Sequence, residues 1–497
     1  MAKRVKAPVG YGMRSMKDSK GSLSYRAAQT SRITPYRVGL GGSGDAHTKE
    51  TDLWEMREYA RRLDRDNVIA HAILDRSVEA VIGDGIRTHV ESSSTSFADN
   101  AERLWKKYWN QEADSRGFRR GWELEALVYR SLKCDGDILV VKEDDGKISI
   151  VEGDRIATPS DKKNITDGTL HAGVHMDMRG KLLNFYVCKD AINNRNYKHS
   201  YNDFMTISAD RCLWLANTHR PSMTRGVTAF ASSMQLYEDI DAFLEACIIN
   251  AKMSVAHVMF IKRENGGADL DGTEETTDGW GNDRTEQVIS PGTILYGKPG
   301  ESASMIGSTM QMVNFGPFMK QLLRFAGISF GLPLEVVGLD FSDTNYSSAR
   351  AAMLVAHKAH QRNHKTMVDN FLAPLMRWKI EQWIKEGLLN RPAYYSVAAT
   401  PPRQISIDPN KEMSAEVVKV QHGFSTNADV CSILGFDFDD VLQRRANEIS
   451  KAKKAADKID PDDVNWRDLI GDAKNFDAAL YSDAVKDTSN KVVKDEK

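Results

Sequence analysis

"GLPLEVVGLDFSDTNYSSARAAMLVAHKAHQRNHK" occupies residues 331–365. After Leu332-Pro333 it passes through a short polar loop into an alanine-rich helix that ends with three histidines at helical spacing. Asn345 or Ser347 is placed to cap that helix. His357, His360 and His364 fall at i, i+3 and i+7 on one face. Two such histidines can chelate a metal, but zinc needs three or four ligands, and neither Cys nor acid on this face completes the set. Ser347 and Ser348 sit where a helix N-terminus favours negative charge, yet no base adjoins them. Asp340 and Asp343 against Arg350, Lys358, Arg362 and Lys365 leave 340–365 with a net charge of +2. The stretch therefore reads as a surface that brushes a polyanion, without catalytic residues or a metal site.

The rest of the chain sets the scale. Its 497 residues could hold about three ordinary domains. Apolar content of 41% and charged content of 27% are those of a globular protein, and a formal net charge of −2 argues against a chain built simply to coat nucleic acid. Residues 1–50 hold ten Lys/Arg against three Asp/Glu and read as a flexible basic arm. Five scattered cysteines with no C-x-x-C pair suggest buried thiols in a reducing compartment. We find neither a signal-peptide pattern nor an apolar run of about 18 residues, so no membrane contact is expected.

Beyond the basic arm, periodicity marks the chain as α+β and helix-rich. Thr51 or Asp52 caps a helix with Leu53, Met56, Tyr59 or Ala60, and Leu63 on one stripe. A second helix carries Ile69, Ile73, Val78, Val81 and Ile82 to Gly83. Two more helices are expected in "FADNAERLWKKYWN" and "RGWELEALVYRSLKCD", and Asp145-Gly146 marks a hairpin between 138–142 and 148–152. Strands are expected next at about 170–176, 182–189 and 210–216. "CDGD" (134–137) offers two close carboxylates but reads as a turn.

A long helix is expected over 226–251, roughly 39 Å at 1.5 Å per residue. Glu238, Asp239, Asp241 and Glu245 are its only charges and mark a lumen or a subunit interface. Residues 263–286 carry eight acids and two bases and read as a mobile acidic loop on a small β excursion, too irregular for a calcium loop. Further helices are expected at about 317–330, 366–386 (with a kink at Pro374), 410–422, 427–434 and 438–456, the last after an Asp437 cap. Phosphate-loop, hydrolase-elbow, zinc-protease and deaminase signatures are absent, and no cofactor is implied.

Taken in order, several segments resemble the portal proteins of tailed phages, lambda family. These are "RLDRDNVIAHAILDRSVEAVIGDGI", "CDGDILVV", "RGVTAFASSMQLYEDID", "GLPLEVVGLDFSDTNYSSARAA", "FLAPLMRWKIEQWI" and "ISIDPNKEMSAEVVKVQHGFSTNADVCSILGFDFDDV". The resemblance covers about residues 50–450. It implies a portal-like fold that assembles into a ring, usually of twelve subunits, at one capsid vertex of the virion. The ring is a head-tail connector that conducts double-stranded DNA without sequence specificity during packaging and ejection. Its other partners would be the packaging motor (terminase large subunit), capsid and scaffold proteins and a head-tail adaptor. Assembly would take place in the host cytoplasm, and ATP hydrolysis would belong to the motor.

By order, 51–221 and the return helices and strand of 351–409 would be the wing. Segments 222–252 and 314–332 would be stem helices, 253–313 the clip, 410–456 the crown, and 457–497 a mobile charged tail. Residues 333–350 would hold the tunnel loop, with Asp340, Phe341, Ser342, Asp343, Thr344 and Asn345 at its tip. Arg350, His357, Lys358, Lys320 and Arg324 would lie near DNA. Lys262, Arg263, Asp269, Asp271, Glu274 and Glu275 would be clip contacts to partners. An acidic stem and sparse cations suit sliding, because each neutralised phosphate steepens the salt dependence of binding by about 0.9 and holds the duplex more firmly. The alternatives are another phage connector or adaptor ring and a metal-dependent nucleic-acid enzyme using the histidine face with Asp340 or Asp343.

Overall fold

The computed structural model describes residues 43–162, 167–189, 203–255, 259–261, 276–277, 283–284, 294–296, 315–342, 345–400, 409–436 and 438–456. Most of the basic arm, the charged tail and the Asp437 cap lie outside the described residues. So do Asp343 and Thr344 of the loop tip, and Lys262, Arg263, Asp269, Asp271, Glu274 and Glu275.

Helix α1 (Glu50–Asp66) begins at a Lys49 cap, two or three residues before the expected Thr51 or Asp52. It starts early because the chain ahead of it is already held. Gly44–His47 forms a 3-10 turn, and the Asp45 carboxylate accepts from the Thr224 backbone N–H (2.7 Å) and hydroxyl (2.8 Å). The last residues of the arm are thus docked on the body. Helix α2 (Val68–Val81) comes at once, capped by Asn67, whose side chain accepts from the Ala70 N–H. Helices α3 (Thr95–Gln111) and α4 (Gly121–Cys134) appear as expected, and a strand β1 (Thr88–Ser92), not foreseen, precedes them.

The expected hairpin is present as β2 (Asp137–Lys142) and β3 (Ile148–Glu152), with Gly146 at φ 82° in its turn. The 170–176 segment divides into β4 (Thr169–His171) and β5 (Val174–Met176) about an Ala172-Gly173 reversal. Strands β6 (Leu182–Cys188) and β8 (Cys212–Ala216) match expectation, and β7 (Phe204–Ser208) had no clear alternation to reveal it. Strands β3-β2-β8 form one sheet and β4-β5-β6-β7 another. Central β2 is apolar on both faces. Ile138 and Val140 join the core formed by α3, α4 and the late helices, while Leu139 and Val141 join the core between the sheets.

Helix α5 (Met234–Val255) begins eight residues later than the periodicity of 226–251 suggests. Tertiary hydrogen bonds claim the preceding backbone. Val227 N–H donates to the Asn217 carbonyl (3.0 Å), Ala229 N–H to Lys133 (2.9 Å), and the Val227 carbonyl accepts from the Asn217 amide (2.8 Å). A helix there would forfeit these bonds. Beyond α5, β9 (Met259–Ile261) pairs in parallel with β12 (Ile294–Tyr296), and β10 (Thr276–Thr277) pairs with β11 (Asp283–Arg284).

After α6 (Phe315–Ile328) and the short α7 (Leu334–Val337) comes α8 (Tyr346–Met367). The expected separate helix at 366–386 is instead its continuation. A π-turn over Val368–Leu372 leads directly into α9 (Ala373–Lys385). Pro374 has no N–H to give and its ring crowds the carbonyl four residues back, and the widened turn accommodates both. Strand β13 (Tyr395–Ala399) then pairs with β1 across some three hundred residues of sequence. The final helices α10 (Pro409–Gln421), α11 (Asn427–Ile433) and α12 (Phe438–Ala456) fall where expected, stopped by Gly423 and Gly435 with positive φ. Thr426 and Asp429 form a capping box on α11.

An ionic hub joins these parts. The Asp137 carboxylate is fully buried and accepts from Arg57 (2.8 Å), from Arg225 through Nε (2.7 Å) and Nη2 (3.1 Å), and from the Gly226 N–H (3.0 Å). Arg225 also donates to the carbonyls of Gly153, Ile156 and Ala172. Arg61 holds Asp135 (2.7 Å) and Asp154 (2.8 Å). Burial alone would raise the Asp137 carboxyl, but the two guanidiniums outweigh it and hold it below its ordinary range. The turn reading of "CDGD" captured the backbone, where Gly136 has φ 92°, and missed the charge network. A Cβ on Gly226 would sit directly on the Gly136 carbonyl oxygen, so both glycines serve close approach.

Candidate functional site

The 331–365 stretch follows closely on α6 and contains α7 and most of α8. Gly327 starts the reversal, its carbonyl accepting from Phe330 and Leu332. Leu334 N-terminal to the loop is buried, whereas Leu339 (62% exposed) and Phe341 (54% exposed) are not. Leu339 adopts φ 49°, a left-handed conformation that costs a leucine about 1 kcal/mol. The tip is thus less polar than its composition suggests, with two large apolar side chains flanking Asp340.

Asp340 organises the described part of the loop. Its carboxylate accepts from the Ser342 hydroxyl (2.5 Å) and N–H (3.0 Å) and pairs with Lys320 of α6 (2.9 Å). The Ser342 bonds, then the Lys320 ammonium, hold the carboxyl well below the usual carboxylate range. On the far side Asn345 caps α8, its side chain accepting from the Ser348 N–H (2.8 Å) and the Ser347 hydroxyl (2.8 Å). Both serines are therefore capping partners. Of the residues expected near DNA, Lys320 is drawn onto Asp340. Arg324 is exposed beside Gln321 (3.4 Å), and Arg350 and Lys358 are exposed on α8.

The histidine face turns inward. His360 and His364 are 7% and 6% exposed, and His357 is half-buried. Burial pushes the first two down to about 4, with His357 and Lys133 adding to the effect at His360. They are neutral at pH 7, and the buried Nδ1 of His360 has no hydrogen-bond partner. Among the described residues no three His, Cys, Asp or Glu side chains gather as a metal site, and no helix is long and apolar enough to cross a membrane.

The acids of α5 take separate positions. Glu238 pairs with Arg62 of α1 (2.6 Å), Asp241 accepts from the Asn67 amide (2.6 Å), Asp239 from Gln235 (3.2 Å), and Glu245 is exposed. Below them Phe243 stacks on Phe315 and meets Phe318 edge-on, tying α5 to α6. Sequence reasoning overlooked Arg57, Arg61 and Arg225. The i, i+4 arginine pair beside a hydrophobic stripe was the available signal.

The family model described as "Phage portal protein, lambda family" matches residues 36–362. The chain is 19% identical over 408 residues to the portal protein of Escherichia phage N15, covering 74% of this chain and 76% of that one. It is 18% identical over 409 residues to portal protein B of Escherichia phage lambda, covering 73% and 76%. Among solved structures it is similar to a chain in the neck of an empty GTA particle (TM-score 0.42, 12% identity, 76% of this chain and 93% of that one). A chain of the native gene transfer agent virion gives a TM-score of 0.40 at 12% identity, with 78% and 93% covered.

Proposed function

This chain belongs to the lambda family of phage portal proteins, and from that premise we propose that it forms a closed ring, of twelve copies, at one vertex of the capsid. Double-stranded DNA passes through the centre during packaging and ejection. The role is structural. The motor that docks on the ring, the terminase large subunit, hydrolyses ATP, and a head-tail adaptor later takes its place. Capsid and scaffold proteins contact the ring during assembly in the host cytoplasm.

The observation that carries this reading inside the molecule is the Gly338–Asn345 loop. Its described residues, 338–342 and Asn345, lie between α7 and α8, and Asp340 is paired with Lys320 of α6. A surface that must let a duplex slide gains nothing from strong phosphate contacts, and pairing Lys320 with Asp340 removes one. Helices α5 and α6 are the stem, β9–β12 belong to the clip, α1–α4 with the sheets and α9 form the wing, and α10–α12 the crown. Residues Asp340–Asn345 line the narrowest part of the channel, with Arg350 and Lys358 behind them.

Negative-stain imaging of the purified chain tests the assembly. Rings with a central hole are expected, and a compact monomer at all concentrations would sink the reading. A nuclease assay with metal analysis of His360→Ala separates the enzymatic alternative, which requires bound metal and an activity that this substitution abolishes.

A further inference from the structure

The segment Ser115–Trp122, "SRGFRRGW", contains three arginines, a phenylalanine and a tryptophan, with no acid. The fold holds this loop firmly. The nearly buried Asp114 carboxylate accepts from the backbone N–H groups of Arg116 (3.1 Å), Phe118 (3.2 Å) and Arg119 (3.0 Å). Ser115 N–H donates to the Ile148 carbonyl at the start of β3 (3.0 Å), and Gly117 turns the chain at φ 74° with open space around it. Phe118 is 65% exposed and Trp122 44%. The Arg119 guanidinium lies 4.8 Å from the Phe118 ring centre. Among the described residues, none of the Arg116, Arg119 and Arg120 guanidiniums has a carboxylate partner.

Rigid, exposed aromatic rings interleaved with arginine are the composition of protein interface anchors. A sliding duplex would use the charges but offers no apolar seat for Phe118. The same chain carries a matching surface elsewhere. On α1, Asp52 and Glu55 are exposed, and on neighbouring α5 so are Asp241 and Glu245, one turn apart on one side, with no base in α5 before Lys252. The exposed cations of α1 are already spent, Arg62 on Glu238 and Arg65 on Asp66. Half-buried Tyr59 and exposed Ile249 offer apolar surface on the same two helices.

We propose that the Ser115–Trp122 segment of one copy, the loop before α4 and the first turn of that helix, docks on the acidic α1–α5 face of the next copy. The inference rests on the ring reading and adds the surface that makes it. Two different patches meeting head-to-tail form a heterologous contact, the kind that repeats around a closed ring. It also places the α5 acids at a subunit interface, one of the two roles their sequence allowed.

The experiment is a charge reversal in the full chain, read by sedimentation velocity over a concentration series. Arg116→Glu/Arg119→Glu raises the assembly midpoint by about tenfold or more, the equivalent of about 1.4 kcal/mol. Adding Asp241→Lys/Glu245→Lys to the same chain restores assembly. Phe118→Ser weakens assembly without changing charge. Unchanged thermal midpoints at a concentration where all variants are monomeric show that the fold is intact. The proposal is overturned if the loop reversal assembles like the unsubstituted chain, if the paired reversal fails to restore assembly, or if only retention of duplex DNA is lost. An unsubstituted chain that never assembles overturns the ring reading itself, a result distinguishable from the others.

Discussion

Replacing Asp137 with Asn changes one atom in the hub and reverses its balance. The carboxylate accepts four hydrogen bonds, three from Arg57 and Arg225 and one from the Gly226 N–H. An amide would present N–H groups to these donors on one side and leave two buried guanidiniums without their shared counter-charge. Breaking a buried ion pair in this way costs about 3–5 kcal/mol. At roughly 2–4 °C per kcal/mol for a domain of this size, the thermal midpoint should fall by about 10 °C. The exposed Arg62–Glu238 pair is the control, and Glu238→Gln should cost under about 1 kcal/mol. The pH dependence is a second check. The folded carboxyl is held below its ordinary value, so its contribution is present above the unfolded value near about 3.9 and is lost as pH falls through the folded one. The two chains should therefore converge in strong acid. Urea unfolding of both at equal protein concentration decides the matter. A loss at pH 7 no larger than that of Glu238→Gln would refute the view that the hub holds α1, the hairpin and the segment leading to α5 together.

Other substitutions probe other levels. Gly226→Ala puts a methyl on the Gly136 carbonyl and should cost more than the roughly 1–3 kcal/mol typical of overpacking, seen as lost soluble expression or a collapsed thermal midpoint. His360 and His364 are neutral in the fold, so stability is full above the unfolded value of about 6.5 and falls as pH drops towards 4. Between pH 7 and 5 the loss should be on the order of 2 kcal/mol per ring, and His360→Gln/His364→Gln should flatten the urea midpoint across that range. Parallel curves for the two chains would contradict this. Asp340→Asn releases Lys320, so duplex DNA should be retained more strongly, with a salt slope steeper by about 0.9 for each new phosphate contact. An unchanged slope would mean that Lys320 does not reach the DNA path.

Where local chemistry decided the outcome, the sequence was legible. The three C-terminal helices are bounded by Gly423, Gly435 and the Thr426–Asp429 box. The β2–β3 turn needs Asp145-Gly146, and Asn345 caps α8 because its side chain reaches the Ser348 N–H. The loop at 338–345 was locatable for the same reason, lying between a proline-led turn and a capped helix. Its apolar flanks were not, since the exposure of Leu339 and Phe341 depends on how α6 and α7 pack behind them.

Sequence by itself determined the family, the helix ends set by glycine and caps, and the Asp145-Gly146 hairpin that joins β2 to β3. These come from interactions within a few residues, or from motifs whose order along this chain carries the resemblance. Only the tertiary structure decided that α5 starts at Met234, that two histidines are buried and neutral, and that Asp137 is the centre of an ionic hub. Each of these depends on groups tens to hundreds of residues apart competing for the same backbone or charge. Periodicity carries no information about such partners until the chain has brought them together.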